Sequence, residues 1–283
     1  MRSAAIPLLG TAILLCSLVL LVGGTKPQPP SRTTYLGFDA NDYPGDEALP
    51  LLRKTFAFTG YWLGPPPGAK TTSWLGKRSA LQKQGFGFVV LWSGKLQRNL
   101  KAAPDAQQKG KRDAGDASKI ARQEGFPPGT LIFLDIEEGG RLSPSYHAYV
   151  TEWIDELARE RFRAGVYCSA MPVNEGGGVT ITTTQDLEDQ LAGRKLVFWI
   201  FNDACPPSPG CTFAETPGAP ADGGYVGASV WQYAQSPRRK EFTSRCAATY
   251  ASDGNCYAPG DMAHKWFIDA NVADSPDPSA PQH

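Results

Sequence analysis

What this chain lacks narrows the field first. Its 28 basic residues are matched by 28 acidic ones, so it has no net charge. Without an overall basic excess there is no electrostatic case for nucleic acid, whose backbone demands a cationic face. Histidine is scarce: His147, His264 and His283 are far apart and lack the spacing of metal ligands. No metal or other cofactor is therefore expected. No Gly-x-Gly-x-x-Gly follows the first apolar run, which disfavours a dinucleotide-binding fold. There is no internal repeat, and past residue 22 no apolar run is long enough to span a bilayer.

What is present at the N-terminus is informative. Arg2 precedes an apolar segment from Ala4 to Val22, which ends in Gly23-Gly24-Thr25. A positive charge, an apolar core and small residues describe a secretory signal peptide, here residues 1–24. The segment is close to the ~20 residues that cross a bilayer, so an uncleaved anchor is the other reading. Lipidation at Cys16 is not expected, because Leu14 and Leu15 stand where small residues would be needed. Residues 25–33 form a Pro-rich linker. The expectation is a secreted, periplasmic or envelope-bound monomer that touches membrane only through this segment.

Export changes the reading of the remaining cysteines, since an oxidising compartment favours disulfides. Cys205 and Cys211 flank Pro206-Pro207-Ser208-Pro209-Gly210, and Cys246 and Cys256 flank a polar loop. Local pairing within each couple is the simplest expectation. Cys168 lies in the apolar run Gly165-Val166-Tyr167-Cys168 and reads as a buried small hydrophobe rather than a nucleophile.

The segment Leu131-Ile132-Phe133-Leu134-Asp135-Ile136-Glu137-Glu138-Gly139-Gly140 organises the rest. A short apolar run closed by glycines reads as a strand buried on both faces. Alternation puts Asp135 and Glu137 on one side, with Ile136 and Phe133 directed elsewhere. Two crowded carboxylates raise each other's pKa and suit acid/base work on glycosidic bonds. The plainer alternative is a pair of solvated loop acids beyond the strand end.

Seven further apolar runs complete the pattern: Tyr35–Asp39, Phe58–Leu63, Phe86–Trp92, Arg163–Cys168, Lys195–Phe201, Ala228–Tyr233 and Trp266–Asn271. Amphipathic stretches lie between several of them, such as Tyr149 to Phe162, Asp186 to Leu191, and Asp113 to Gln123 after a basic loop. Strands alternating with helices imply parallel pairing with right-handed crossovers. Eight such units in about 250 residues fit a single α/β chain folded as a (β/α)8 TIM-type barrel, with irregularities and disulfide-closed loops. The barrel is expected over residues 34–273, followed by a disordered Pro-rich tail over 274–283. An open doubly wound sheet is the competing architecture. Polar residues end most runs: Asp39, Asp135 with Glu137, Asn202-Asp203, Gln232-Tyr233, and Asp269 with Asn271. In a barrel those ends would meet on one face, whereas an open sheet gathers only its central strands.

Taken in order, Gly37-Phe38-Asp39, Asp135-Ile136-Glu137, Trp231-Gln232-Tyr233 and Ile268-Asp269-Ala270-Asn271-Val272 resemble the family 25 glycoside hydrolases, the lysozyme-like muramidases. The run from Asp113-Ala114 through Ala117, Ala121, Gly125, Pro127 and Gly129-Thr130 is similar to an exported bacterial glycoside-hydrolase-like group of unknown function. The resemblance covers roughly Tyr35 to Val272 and departs at Asn41, where the muramidases usually carry serine.

It implies a cleft holding Asp39, Asp135, Glu137 and Asp269, with Glu137 as general acid and Asp135 supporting the acetamido group of an N-acetylated sugar. Trp231, Gln232, Tyr233, Tyr167, Asn202 and Asn271 would line the cleft, and Trp62 and Trp92 are sugar-stacking candidates or core residues. The implied partner is a polysaccharide such as peptidoglycan. Two other readings remain: a barrel that binds glycan without cleaving it, and a structural protein whose acids are paired with Arg141 and Arg163.

Overall fold

A computed structural model of the chain describes residues 33–202, 217–234, 266 and 268–282, which belong to one compact unit. The N-terminal segment, Asp203, Cys205, Cys211, Cys246, Cys256, His264 and His283 lie outside the described residues. Seven of the eight expected runs are parallel strands: β1 (Tyr35–Asp39), β2 (Phe58–Trp62), β3 (Gly87–Ser93), β4 (Leu131–Asp135), β5 (Arg163–Ser169), β8 (Val197–Phe201) and β9 (Ala228–Ala234). The last, β10 (Asp269–Ala273), closes the barrel between β9 and β1 and runs antiparallel to both.

That reversal corrects the expectation of a uniform parallel ring. An apolar run carries no sign of its direction. The rim is preserved all the same. Asp269 stands at the start of β10, opposite Asp39 at the end of β1, so antiparallel pairing brings both acids to one end.

Helices cover the outside: α1 (Leu49–Leu52), α2 (Arg78–Lys83), α3 (Ala103–Gln123), α4 (Pro144–Arg159) and α5 (Thr183–Gln190). Helix α3 begins ten residues before the expected Asp113, because Pro104 suits a first turn and the basic stretch simply occupies its solvent side. Its inner stripe is small: Ala106, Gly110, Ala114, Ala117 and Ala121 are buried. A Cβ at Gly110 would lie 2.2 Å from the Tyr149 carbonyl oxygen of α4, so glycine lets the two helices meet backbone to backbone. Helix α4 is capped by the Ser143 hydroxyl, which accepts from Tyr146 N at 3.2 Å. A short exposed hairpin, β6 (Val173–Gly176) and β7 (Val179–Ile181), stands between β5 and α5; its glycine-rich, polar sequence did not read as strand.

The tail is a second correction. Although rich in proline, residues 275–282 lie across the starting ends of β3 and β4. Phe88 N donates to Asp277 Oδ1 (2.8 Å), Val90 N to Ser279 Oγ (2.9 Å) and Leu131 N to Ser279 O (2.9 Å). The Ser279 N–H returns a bond to Phe88 O at 2.9 Å. Composition pointed to disorder, but side-chain and carbonyl acceptors satisfy strand N–H groups that water cannot reach. Among the described residues no helix is long and apolar enough to cross a membrane.

Candidate active site

The barrel's interior alternation builds the site. Asp39 ends β1, and a Cβ on Gly60 of β2 would meet the Asp39 Cβ at 2.6 Å, so glycine makes room for the acid. Gln232 on β9 donates through Nε2 to Asp39 Oδ1 (3.0 Å), and Asn271 on β10 donates through Nδ2 to the same oxygen (2.7 Å). Gln232 Oε1 accepts from the Tyr167 hydroxyl on β5 (2.8 Å), while Asn271 Oδ1 accepts from Trp199 Nε1 on β8 (2.9 Å). Three of these bonds link strands that are not neighbours, and the Asn271–Asp39 bond joins the paired strands β10 and β1, so together they hold Asp39 in a closed polar network.

Asp135 ends β4, with Tyr167 opposite it on β5 and Ser93 on β3. It is buried, and its Oδ1 has no hydrogen-bond partner among the described residues. Its pKa is well above the usual carboxyl range, first through burial, then through Glu137 and Asp39. Glu137 is open to solvent at the mouth, and its pKa is also raised by partial enclosure and by Glu138. The two carboxyls are hydrogen-bonded, an interaction that raises Asp135 and lowers Glu137.

Tyr167 reports the convergence. Its phenol is raised by burial and then by Asp135, Asp39, Glu137 and Asp269, so all four acids act on one buried ring. Phe133 was expected to face away from the acids. It instead packs beneath Asp135 on the same face, edge-on to Trp199 at 5.7 Å, as a period of two requires.

The other expected residues divide. Trp231 is half-buried, lies edge-on to Tyr233 at 5.9 Å and donates to Asn202 O at 2.9 Å. Asn202 holds Gly223 O at 2.7 Å, tying a loop to the wall. Trp62 is buried with Nε1 on Ala40 O at 3.1 Å; it is a core residue and offers no ring to a sugar. Trp92 is half-buried beside Gly64.

Neither expected arginine touches the acids: Arg141 forms a double bond pair with Glu175 (2.8 and 2.9 Å), and Arg163 donates to Ala280 O at 3.2 Å. That geometry leaves the structural ion-pair reading without the two arginines named for it. Cys168 is buried and unpaired, and burial pushes its thiol up, as befits an inert apolar group. Among the described residues no cluster could hold a metal ion. Trp199, absent from the expected set, orients Asn271; in a run reading Val-Phe-Trp-Ile-Phe it is indistinguishable from core.

A closed barrel with four carboxylates turned toward one rim defines a glycoside-hydrolase-like domain. The chain belongs to the Rv2525c-like, glycoside hydrolase-like domain family, whose model matches residues 70–215, just over half of its length. The matched stretch includes Asp135 and Glu137 and leaves Asp39 and Asp269 outside.

Among solved structures, a Bacillus stearothermophilus protein of undescribed function is 18% identical, with a TM-score of 0.53 over 84% of this chain and 95% of that one. The Tat-secreted protein Rv2525c of Mycobacterium tuberculosis, bound to L-tartrate, is 18% identical over 85% and 95%, with a TM-score of 0.48. A family GH25 lysozyme from Aspergillus fumigatus is 14% identical over 88% and 100%, with a TM-score of 0.46. At such identities the first of these speaks for the fold alone. No curated protein matches the chain.

Proposed function

We propose that the chain is an exported glycoside hydrolase acting on an N-acetylated cell-wall glycan, with Glu137 as general acid and Asp135 assisting. The observation that carries this reading is the hydrogen-bonded Asp135–Glu137 pair. One member is sealed in the barrel wall, the other is open to the mouth, and both are raised above the ordinary carboxyl range. Paired acids in unlike environments divide into proton holder and proton donor. Family membership and the N-terminal apolar segment support the class and the export.

The environments suggest how the proton reaches the right oxygen. Asp135 holds it until a sugar binds, and its Oδ1 has no competing protein partner among the described residues. An acetamido N–H donating there favours the ionised form of Asp135 and passes the shared proton to Glu137. Glu137 then protonates the glycosidic oxygen as that bond breaks. The acetamido carbonyl oxygen bonds the anomeric carbon, so no enzyme nucleophile is needed. Water next attacks that carbon as its bond to the acetamido oxygen breaks, and gives a proton to Glu137, while Asp39 is locked by Gln232 and Asn271.

The test is digestion of purified peptidoglycan and chitin-type oligomers, with products identified by mass. Glu137→Gln should cut release of reducing ends by at least about 10²-fold, the scale of a lost general acid, with folding unchanged. Unaltered turnover removes the proposal. The burial of Asp135 in the barrel wall favours a second reading, a barrel that binds glycan without cleaving it. Binding that survives Glu137→Gln, with no product from any glycan, selects that reading.

A further inference from the structure

The charge-neutral chain hides a local excess. Residues 94–112 contain Lys95, Arg98, Lys101, Lys109, Lys111 and Arg112 against the single acid Asp105, a net of plus five from six cations less one anion. The structure places this stretch in the β3–α3 loop and the first half of α3, starting from the rim that carries the acids. Contact is direct: Gln97 N in the loop donates to Glu138 Oε1 at 2.5 Å, one residue past Glu137.

A run of charges is usually a solvated helix face, and solvated faces pair internally. Helix α4 behaves that way, with Arg159 on Glu152 and Glu156, and Asp155 on Arg194. The basic stretch does not. Asp105 is taken by Lys109 at 2.7 Å, and Lys95 leans on the buried Asp113 at 3.1 Å. Arg98, Lys101, Lys111 and Arg112 are exposed, and none forms an ion pair with a described residue. Two sit on the loop at the mouth and two lie farther along α3, so the unpaired cations lead away from the acidic rim.

We infer that this strip is a second binding surface for an anionic wall polysaccharide, one whose repeat carries phosphodiester groups. The four acids of the mouth would repel such a repeat and accept a neutral sugar, while the cationic strip beside them does the opposite. A polymer with both kinds of unit would be held in one direction across the rim. The choice of a wall polymer rests on the glycan-hydrolase reading; the cationic surface does not.

The experiment uses the full chain carrying Glu137→Gln, so that binding is measured without turnover and independently of whether the barrel is a hydrolase. Poly(glycerol phosphate) is the probe, with neutral dextran, double-stranded DNA and phosphatidylglycerol vesicles as the other arms. Binding should weaken roughly 50- to 150-fold between about 50 and 200 mM salt, as expected when about four cations release counterions. The double change Arg98→Glu with Lys101→Glu should weaken it at least about tenfold with an unchanged melting temperature, and Lys111→Glu with Arg112→Glu should do the same from the helix.

No binding at low salt overturns the inference, as does binding that neither double variant alters. So does tighter binding to DNA or vesicles than to the phosphodiester polymer, which would mark a surface for another class of polyanion. If the polymer binds as expected while the wild-type chain releases nothing from peptidoglycan, the hydrolase reading fails alone.

Discussion

Asp135 shows at the level of one side chain how the site trades stability for chemistry. Its folded pKa lies well above the unfolded value, so the fold favours the protonated form. That contribution is present below the unfolded pKa and is lost as pH rises through the folded one. Asp135→Asn, which cannot ionise, should therefore raise the melting temperature at pH 8 and leave it nearly unchanged at pH 4, as differential scanning fluorimetry would read. A uniform loss at both values would mean that the carboxyl is a structural acceptor.

The four acids were legible because each stands where an apolar run ends, and the i, i+2 spacing of Asp135 and Glu137 survives intact. Trp199 was not legible, nor was the role of Gly60. A buried indole that aims an amide looks like packing until its partner is known, and a glycine that admits a carboxylate shows only in three dimensions.

Among the elements, the tail departs furthest from its composition. It contributes no helix or strand, yet three N–H groups at the starts of β3 and β4 end on Asp277 and Ser279. A buried N–H left unpaired costs about 1–3 kcal/mol. Ser279→Ala, which strands Val90 N alone, should lower unfolding free energy by about 1–2 kcal/mol in a urea titration. Removing residues 275–283 should cost clearly more than that single change.

Seven of the eight barrel strands were readable to within two residues, and the last began three residues late, because buried strands are continuous apolar runs bounded by turns. Helix α3 was read ten residues short because its outward face is polar and its inward face is only alanine and glycine, a weak apolar signal. Tight packing between strands of the barrel is where small additions are felt. Gly165→Ala on β5 would set a Cβ 2.5 Å from the Phe133 ring, and overpacking of that kind costs about 1–3 kcal/mol, measurable in the same titration.

At the scale of the molecule, a barrel could be read from eight runs and their polar ends, and the observed ring has eight strands. Direction could not be read, because β10 has the same apolar character whichever way it runs. Beyond the ring, the exposed cations Arg98 and Lys101 of the β3–α3 loop follow the strand end at the acidic mouth.

The reversed strand has a kinetic consequence. Asp39 receives its Asn271 bond across 232 positions of sequence, so the first and last strands must find each other before the mouth exists. Contacts so distant form late and slowly. A chain still emerging from synthesis or translocation would already contain Asp135 and Glu137, yet the frame that orients them would be missing until its final strand arrived. Newly made copies would thus lack an assembled mouth until the last strand is delivered.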